Sequence, residues 1–147
     1  MGMTAFMERS YRIDSDGSTV VCDTSAERAD VDALVDSVAW RRDELSRVGL
    51  LDADAVLAVR SLMSLDDLLN AGDSAAEFLL LTLTRPQARM LCEIAGAYVA
   101  ERDVESYQPP EERGRIARLR ALAGPLMDTC CELAAAEDEV RERLLTV

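Results

Sequence analysis

Between residues 111 and 145 the apolar residues Ile116, Leu119, Ala123, Leu126, Cys130, Leu133, Val140 and Leu144 recur three and four apart, with Glu137 as the interruption. That spacing marks one face of an α-helix. A single helix over 110–145 is roughly 54 Å long at about 1.5 Å per residue. A globule of this chain length has a radius of gyration of about 15 Å and is about 38 Å across. The stretch must therefore be broken, paired or left to project. Gly124-Pro125 offers a break, because Gly ends one helix and Pro opens the next. The spacing predicts two helices, 111–123 and 125–145, or one helix kinked there. The stripe is expected to pack on the chain's own core. The alternative is a homodimer seam through Leu119, Leu126, Leu133 and Val140.

The preceding segment, 85–104, places Ala88, Leu91, Ile94, Ala95, Tyr98 and Val99 on one helical face, with Cys92 beside it. Thr84 and Gln87 have capping-box spacing at its start. Tyr107-Gln108-Pro109-Pro110 breaks the chain, and Pro110 suits the first position of a new helix, where a missing N–H costs nothing.

Nearer the N-terminus, Ser10-Tyr11-Arg12-Ile13 and Thr19-Val20-Val21-Cys22 carry strand formers around Asp14-Ser15-Asp16-Gly17. An Asp-Gly step between such runs predicts a hairpin. A calcium loop is excluded there: from Asp14 the sixth position is Thr19 and the twelfth is Ser25, where Gly and Glu are needed.

A capping box of Thr24 and Glu27 is expected to open the first helix. Val31, Leu34, Val35, Val38 and Leu45 share its apolar face, and Gly49 is placed to stop it. Ala33, Asp36, Glu44, Arg47 and Trp40 fall on the other face. Asp52 is expected to cap a second helix over 53–63, with Ala55, Val56, Val59, Leu62 and Met63 inward. Ser64 and Asp67 repeat the capping spacing and predict a break, with a short helix over 65–71 ended by Gly72. That stretch is read as the central packing element. Residues 77–83 admit a helix begun at Ser74 and Glu77 or a buried strand; the strand is favoured because Thr84 starts a new helix so soon after.

The chain is therefore expected to be one domain over 1–147, with 1–8 a flexible tail. Its fold class is mainly α (α+β): five or six helices and a small antiparallel sheet from 10–13, 18–22 and 78–83. The alternative is an all-α bundle with 75–83 absorbed into a helix.

Composition narrows the function. All 16 basic residues are Arg, and the chain has neither Lys nor His. His-based acid–base and nucleophilic catalysis, His-ligated metals, Schiff-base lysines and a complete Walker A loop are excluded. Against 28 acidic residues the formal charge is −12, which disfavours direct nucleic-acid binding because counterion release needs surplus cation. No long apolar run suggests a membrane span or export signal, so a cytoplasmic location with mostly reduced cysteines is expected. The acidity itself is read as a solvated or salt-adapted surface, or as an interaction face that docks a basic protein or mimics nucleic-acid phosphates.

Few residues stand out as chemistry. Trp40 is either covered by another segment or an anchor for a partner. Arg113, Arg115, Arg118 and Arg120 form the densest basic cluster, either a salt-bridged face or a local anion contact. Cys130 and Cys131 are neighbours without disulfide or redox-pair geometry; Cys130 reads as core and Cys131 as a flank thiol. Glu139-x-x-Glu142 and Glu27-x-x-Asp30 are the nearest approach to helical magnesium motifs, and carry the alternative of a small carboxylate-dependent, metal-assisted hydrolase. No catalytic residue, metal ligand or cofactor is assigned. The leading expectation is a non-enzymatic regulatory or assembly protein that acts through contacts with a protein partner or with itself.

Overall fold

The computed structural model describes residues 8–47, 53–70, 77–103 and 107–145. The elements run β1 (Arg9–Ile13), β2 (Val20–Glu27), α1 (Arg28–Arg47), α2 (Ala53–Asn70), β3 (Phe78–Leu83), α3 (Arg85–Asp103) and α4 (Pro110–Leu145). The fold is mainly helical α+β, with a three-stranded antiparallel sheet in the order β1-β2-β3.

The hairpin forms where the Asp-Gly signal lies. Gly17 sits at φ +81°, which costs a glycine little. Asp16 accepts from the amides of Ser18 and Thr19, both at 2.9 Å, and from the Thr19 hydroxyl at 2.5 Å. These bonds to the charged form hold its carboxyl down near 2.

Beyond the turn the strand runs five residues further than expected. Val20–Glu27 is paired on both sides, to β1 as far as Arg9↔Thr24 and to β3 as far as Glu27↔Phe78. Thr24 therefore does not cap α1. It is buried mid-strand and its hydroxyl has no partner. Two flanking ladders outweigh a capping box worth about 1 kcal/mol. The amide of Arg28 still donates to the Glu77 carbonyl, 2.8 Å away, so α1 starts directly off the sheet.

Period-two alternation sets the sheet's faces. Cys22, Thr24 and Ala26 of β2 and Leu79, Leu81 and Leu83 of β3 are buried, whereas Leu80 is 87% exposed on the other side. Val21 on that other side is buried outside the core, and the core shared with the helices lies on the inner face. On that face the Arg9 guanidinium of β1 holds Glu132 of α4 through two bonds of 2.7 and 2.9 Å, and the Tyr11 hydroxyl also donates to Glu132.

α1, rather than α2, is the central helix. It packs on α2, α3, α4, the central strand β2 and the edge strand β3. Accordingly Ala33 and Ser37, on the face opposite Val31, are buried as well. α2 is a single helix with no break at Ser64. Leu62, Leu65 and Leu69 are buried at helical spacing straight through that position, and this continuous seam overrides a local capping signal. The described residues thus hold four helices, not five or six. The stops at Gly49 and Gly72, the caps at Asp52 and Ser74, and all of the 1–8 tail except exposed Glu8 lie outside the described residues.

α3 begins as read. The Thr84 amide donates to the Gln87 side chain at 2.9 Å and the Gln87 amide to the Thr84 hydroxyl at 3.3 Å. α4 begins at Pro110 and is one helix of 36 residues, with Pro125 inside it. Its length is absorbed by lying along the whole body. Glu112 pairs with Arg102 near one end of α3, and Glu137 with Arg85 at the other. Proline removes one helical hydrogen bond. Packing on both sides of it, through Leu119, Leu122, Leu126 and Leu133, holds the helix continuous. Among the described residues no helix is long and apolar enough to cross a membrane.

Candidate functional site

Near the C-terminal ends of α1 and α3 and the start of α4, the chain forms a cleft of about 420 Å³. Trp40, Asp43, Glu44 and Arg47 line it from α1, Glu101 and Arg102 from α3, and Gln108, Pro109 and Glu112 from the segment leading into α4.

Trp40 forms its apolar wall. The indole stands edge-on to Tyr98, with ring centroids 5.4 Å apart and planes at 86°. This T-shaped arrangement puts the positive ring edge against the negative face. The Arg102 guanidinium lies 4.1 Å from the Tyr98 ring centroid and 5.7 Å from that of Trp40. It is fixed there by Glu112 at 2.8 Å. The box therefore already holds one cation against two rings and a carboxylate.

Glu112 is the hub of the cleft floor. Besides Arg102 it accepts from the Tyr98 hydroxyl at 2.6 Å and from Arg115. Its place in the first turn of α4 also sets its charge against the positive end of that helix. Burial, and then the bond to Glu112, push the Tyr98 hydroxyl above its ordinary range, so it stays a donor. Gln108 donates to the Arg102 carbonyl at 2.6 Å and so satisfies an end-of-helix acceptor.

The rim is acidic. Asp43 and Glu101 are exposed, and Glu44 is half-buried beside Arg41. Four carboxylates face two guanidiniums across the cleft, and the negative C-terminal ends of α1 and α3 are set against the positive N-terminal end of α4. Chemically, the arrangement suits a cation with an apolar stem. Among the described residues it holds no nucleophile–base pair. Among the described residues no group of three or more Cys, Asp or Glu is placed to hold a metal ion.

The basic cluster on α4 divides. Arg115 reaches Asp36 of α1 at 3.0 Å, along with Glu112 and Tyr98. Arg118 lies 3.3 Å from Asp30 and 4.0 Å from Glu27. These two arginines clamp α4 to the start and middle of α1. Asp30 is buried, which pushes its carboxyl up, while Arg118 pulls it back down. Arg113 and Arg120 are exposed. The Glu27-x-x-Asp30 motif is thus the acid half of an ion-pair cluster, and Glu139 is paired with Arg143 at 2.8 Å.

The seam residues are placed differently from an intermolecular face. Leu119, Leu126 and Leu133 are no more than 1% exposed inside the chain's own core, and Val140 packs against its edge. Cys130 is half-buried against the core and Cys131 is exposed. Of the sequence candidates only Trp40 lines the cleft. Arg102 gives a partial sequence signal, its four-residue spacing from Tyr98 on α3, while its contact with Trp40 on α1 gives none. Glu112 gives a partial one, through its three-residue spacing to Arg115. Comparison with known proteins finds no matching family model, no matching curated protein and no matching solved structure.

Proposed function

We propose that this chain is a non-enzymatic protein that works through protein contacts, in a regulatory or assembly role, and that the Trp40 cleft receives a basic segment of its partner. The observation that carries this reading is the joint presence, in one cleft, of a half-buried indole and three rim carboxylates, Asp43, Glu44 and Glu101. Trp beside a charged rim is the composition of an interface hot spot. A net charge of −12 steers a basic partner toward any part of the surface, and the cleft supplies a local place for it to stop. Arg102, already stacked between the rings and Glu112, is an internal instance of the chemistry expected of the ligand.

Calorimetric titration with a short Arg-rich peptide tests this. Binding is expected in the wild type and should weaken about tenfold in a triple variant, Asp43→Asn, Glu44→Gln and Glu101→Gln, as lost charge pairs at a cleft imply. A second triple variant, Asp138→Asn, Glu139→Gln and Glu142→Gln, removes equal charge from the far end of α4. Equal weakening in both would reduce the cleft to general attraction and refute the reading.

A further inference from the structure

We propose that the open edge of β3 is a self-association site, at which a second copy of this chain adds its own β3 antiparallel to form a six-stranded sheet.

The two sheet edges are built differently. β1 is a defended edge: Arg9 points inward to Glu132, and Arg12 pairs with Asp23 at 2.6 Å. Charges on or under an edge strand discourage pairing with another chain. β3 has none of these devices. Its sequence, Phe-Leu-Leu-Leu-Thr-Leu, carries no charge and no proline, and its register with β2 runs without a bulge from Cys22↔Leu83 to Glu27↔Phe78. Among the described residues nothing pairs with its second edge. Leu80 is 87% exposed and Phe78 43% exposed on the outer face.

Geometry selects the occupant and the register. Directly opposed residues of an antiparallel pair share a face. A two-fold axis perpendicular to the sheet keeps both helical layers on one side only if residues of equal parity oppose each other. Centred on Leu80, the pairing sets Leu80 against Leu80, Phe78 against Thr82, and Leu79 against Leu81. The most exposed leucine of the sheet is then covered by its own equivalent. No like charges oppose each other at the ends: exposed Glu77 of one strand comes alongside Leu83 of the other, and Arg85 beyond it is held by Glu137. An antiparallel match of this kind is isologous and closes at two copies.

Because each copy carries −12, the dimer must overcome mutual repulsion that salt screens. Association at β3 should therefore tighten with salt, opposite to peptide binding at the cleft. The two sites use different elements. A strictly monomeric protein would leave the cleft reading intact, and a silent peptide titration would leave this one intact.

Sedimentation equilibrium at about 0.1 M and about 1 M salt is the test. The expected result is a monomer–dimer equilibrium that tightens in high salt and weakens about tenfold or more in Leu80→Lys, which sets like charges opposite each other. Leu57→Lys, at an exposed position of α2, should leave it unchanged. Should Leu80→Lys alter the far-ultraviolet dichroism, Phe78→Lys replaces it. A monomer at every concentration and salt would overturn the proposal. So would a dimer indifferent to both β3 variants.

Discussion

The indole of Trp40 stands edge-on to the ring of Tyr98 at 5.4 Å, which joins the far face of α1 to the inward face of α3. Neither residue explains the other in sequence, since 58 positions separate them (98 − 40). Together they convert what looks like a misplaced tryptophan into one wall of a cleft.

The Tyr98 hydroxyl bonds a carboxylate in a mostly buried place, so Tyr98→Phe should cost about 1–2 kcal/mol in urea unfolding. The ring pair survives that change. Trp40 emission should therefore keep its wild-type maximum. A large red shift would mean that the hydroxyl, not the ring, positions the indole.

Glu132 gives a pH signature. Hydrogen bonds from Arg9 and then Tyr11 hold its carboxyl down at about 2, below the usual 4.5. A depressed carboxyl stabilises the fold above its unfolded pKa, and that stability is lost as pH falls toward about 2. Its side chain is 42% exposed, so after discounting for solvent the contribution is about 1–2 kcal/mol. Stability curves of the wild type and Glu132→Gln should differ by that amount at neutral pH and converge near pH 2. Curves that keep one separation down to pH 2 would show that the charge on Glu132 contributes no pH-linked stability.

Gly114 and Leu126 test the packing of α4. A Cβ built on Gly114 meets nothing within 4 Å, and no proline directly follows it. Gly114→Ala should stabilise the protein by about 0.5–1 kcal/mol. Leu126 is wholly buried, and Leu126→Ala should cost about 3 kcal/mol. Met127→Ala, at 52% exposure one residue on, should stay within about 0.5 kcal/mol. A destabilising Gly114→Ala would indicate that the first turns of α4 are not regular helix in solution.

The fold was legible where the signal was periodic. The inward faces of α3 and α4, the Asp16-Gly17 hairpin and the strand at 78–83 could all be read from spacing and turn chemistry. Misreadings came from local caps set against long-range pairing. Thr24–Glu27 and Ser64–Asp67 both have capping spacing, yet the first is consumed by two strand partners and the second by the α1–α2 seam. Gly124-Pro125 failed to end a helix for the same reason: α3 holds α4 on both sides of it, through Arg102–Glu112 and Arg85–Glu137. The cleft was visible only through Trp40. Tyr98 and Arg102 lie four apart on α3 and share a face, but Trp40 and Glu112 come from other elements, and no spacing rule relates them to that pair.

The most direct measurement is the emission of Trp40, the chain's one tryptophan, during titration with an Arg-rich peptide. A saturable change at low salt is predicted, weakened by high salt and by neutralising Asp43, Glu44 and Glu101. Peptide binding that leaves the indole's emission unchanged would place the partner elsewhere and contradict the account.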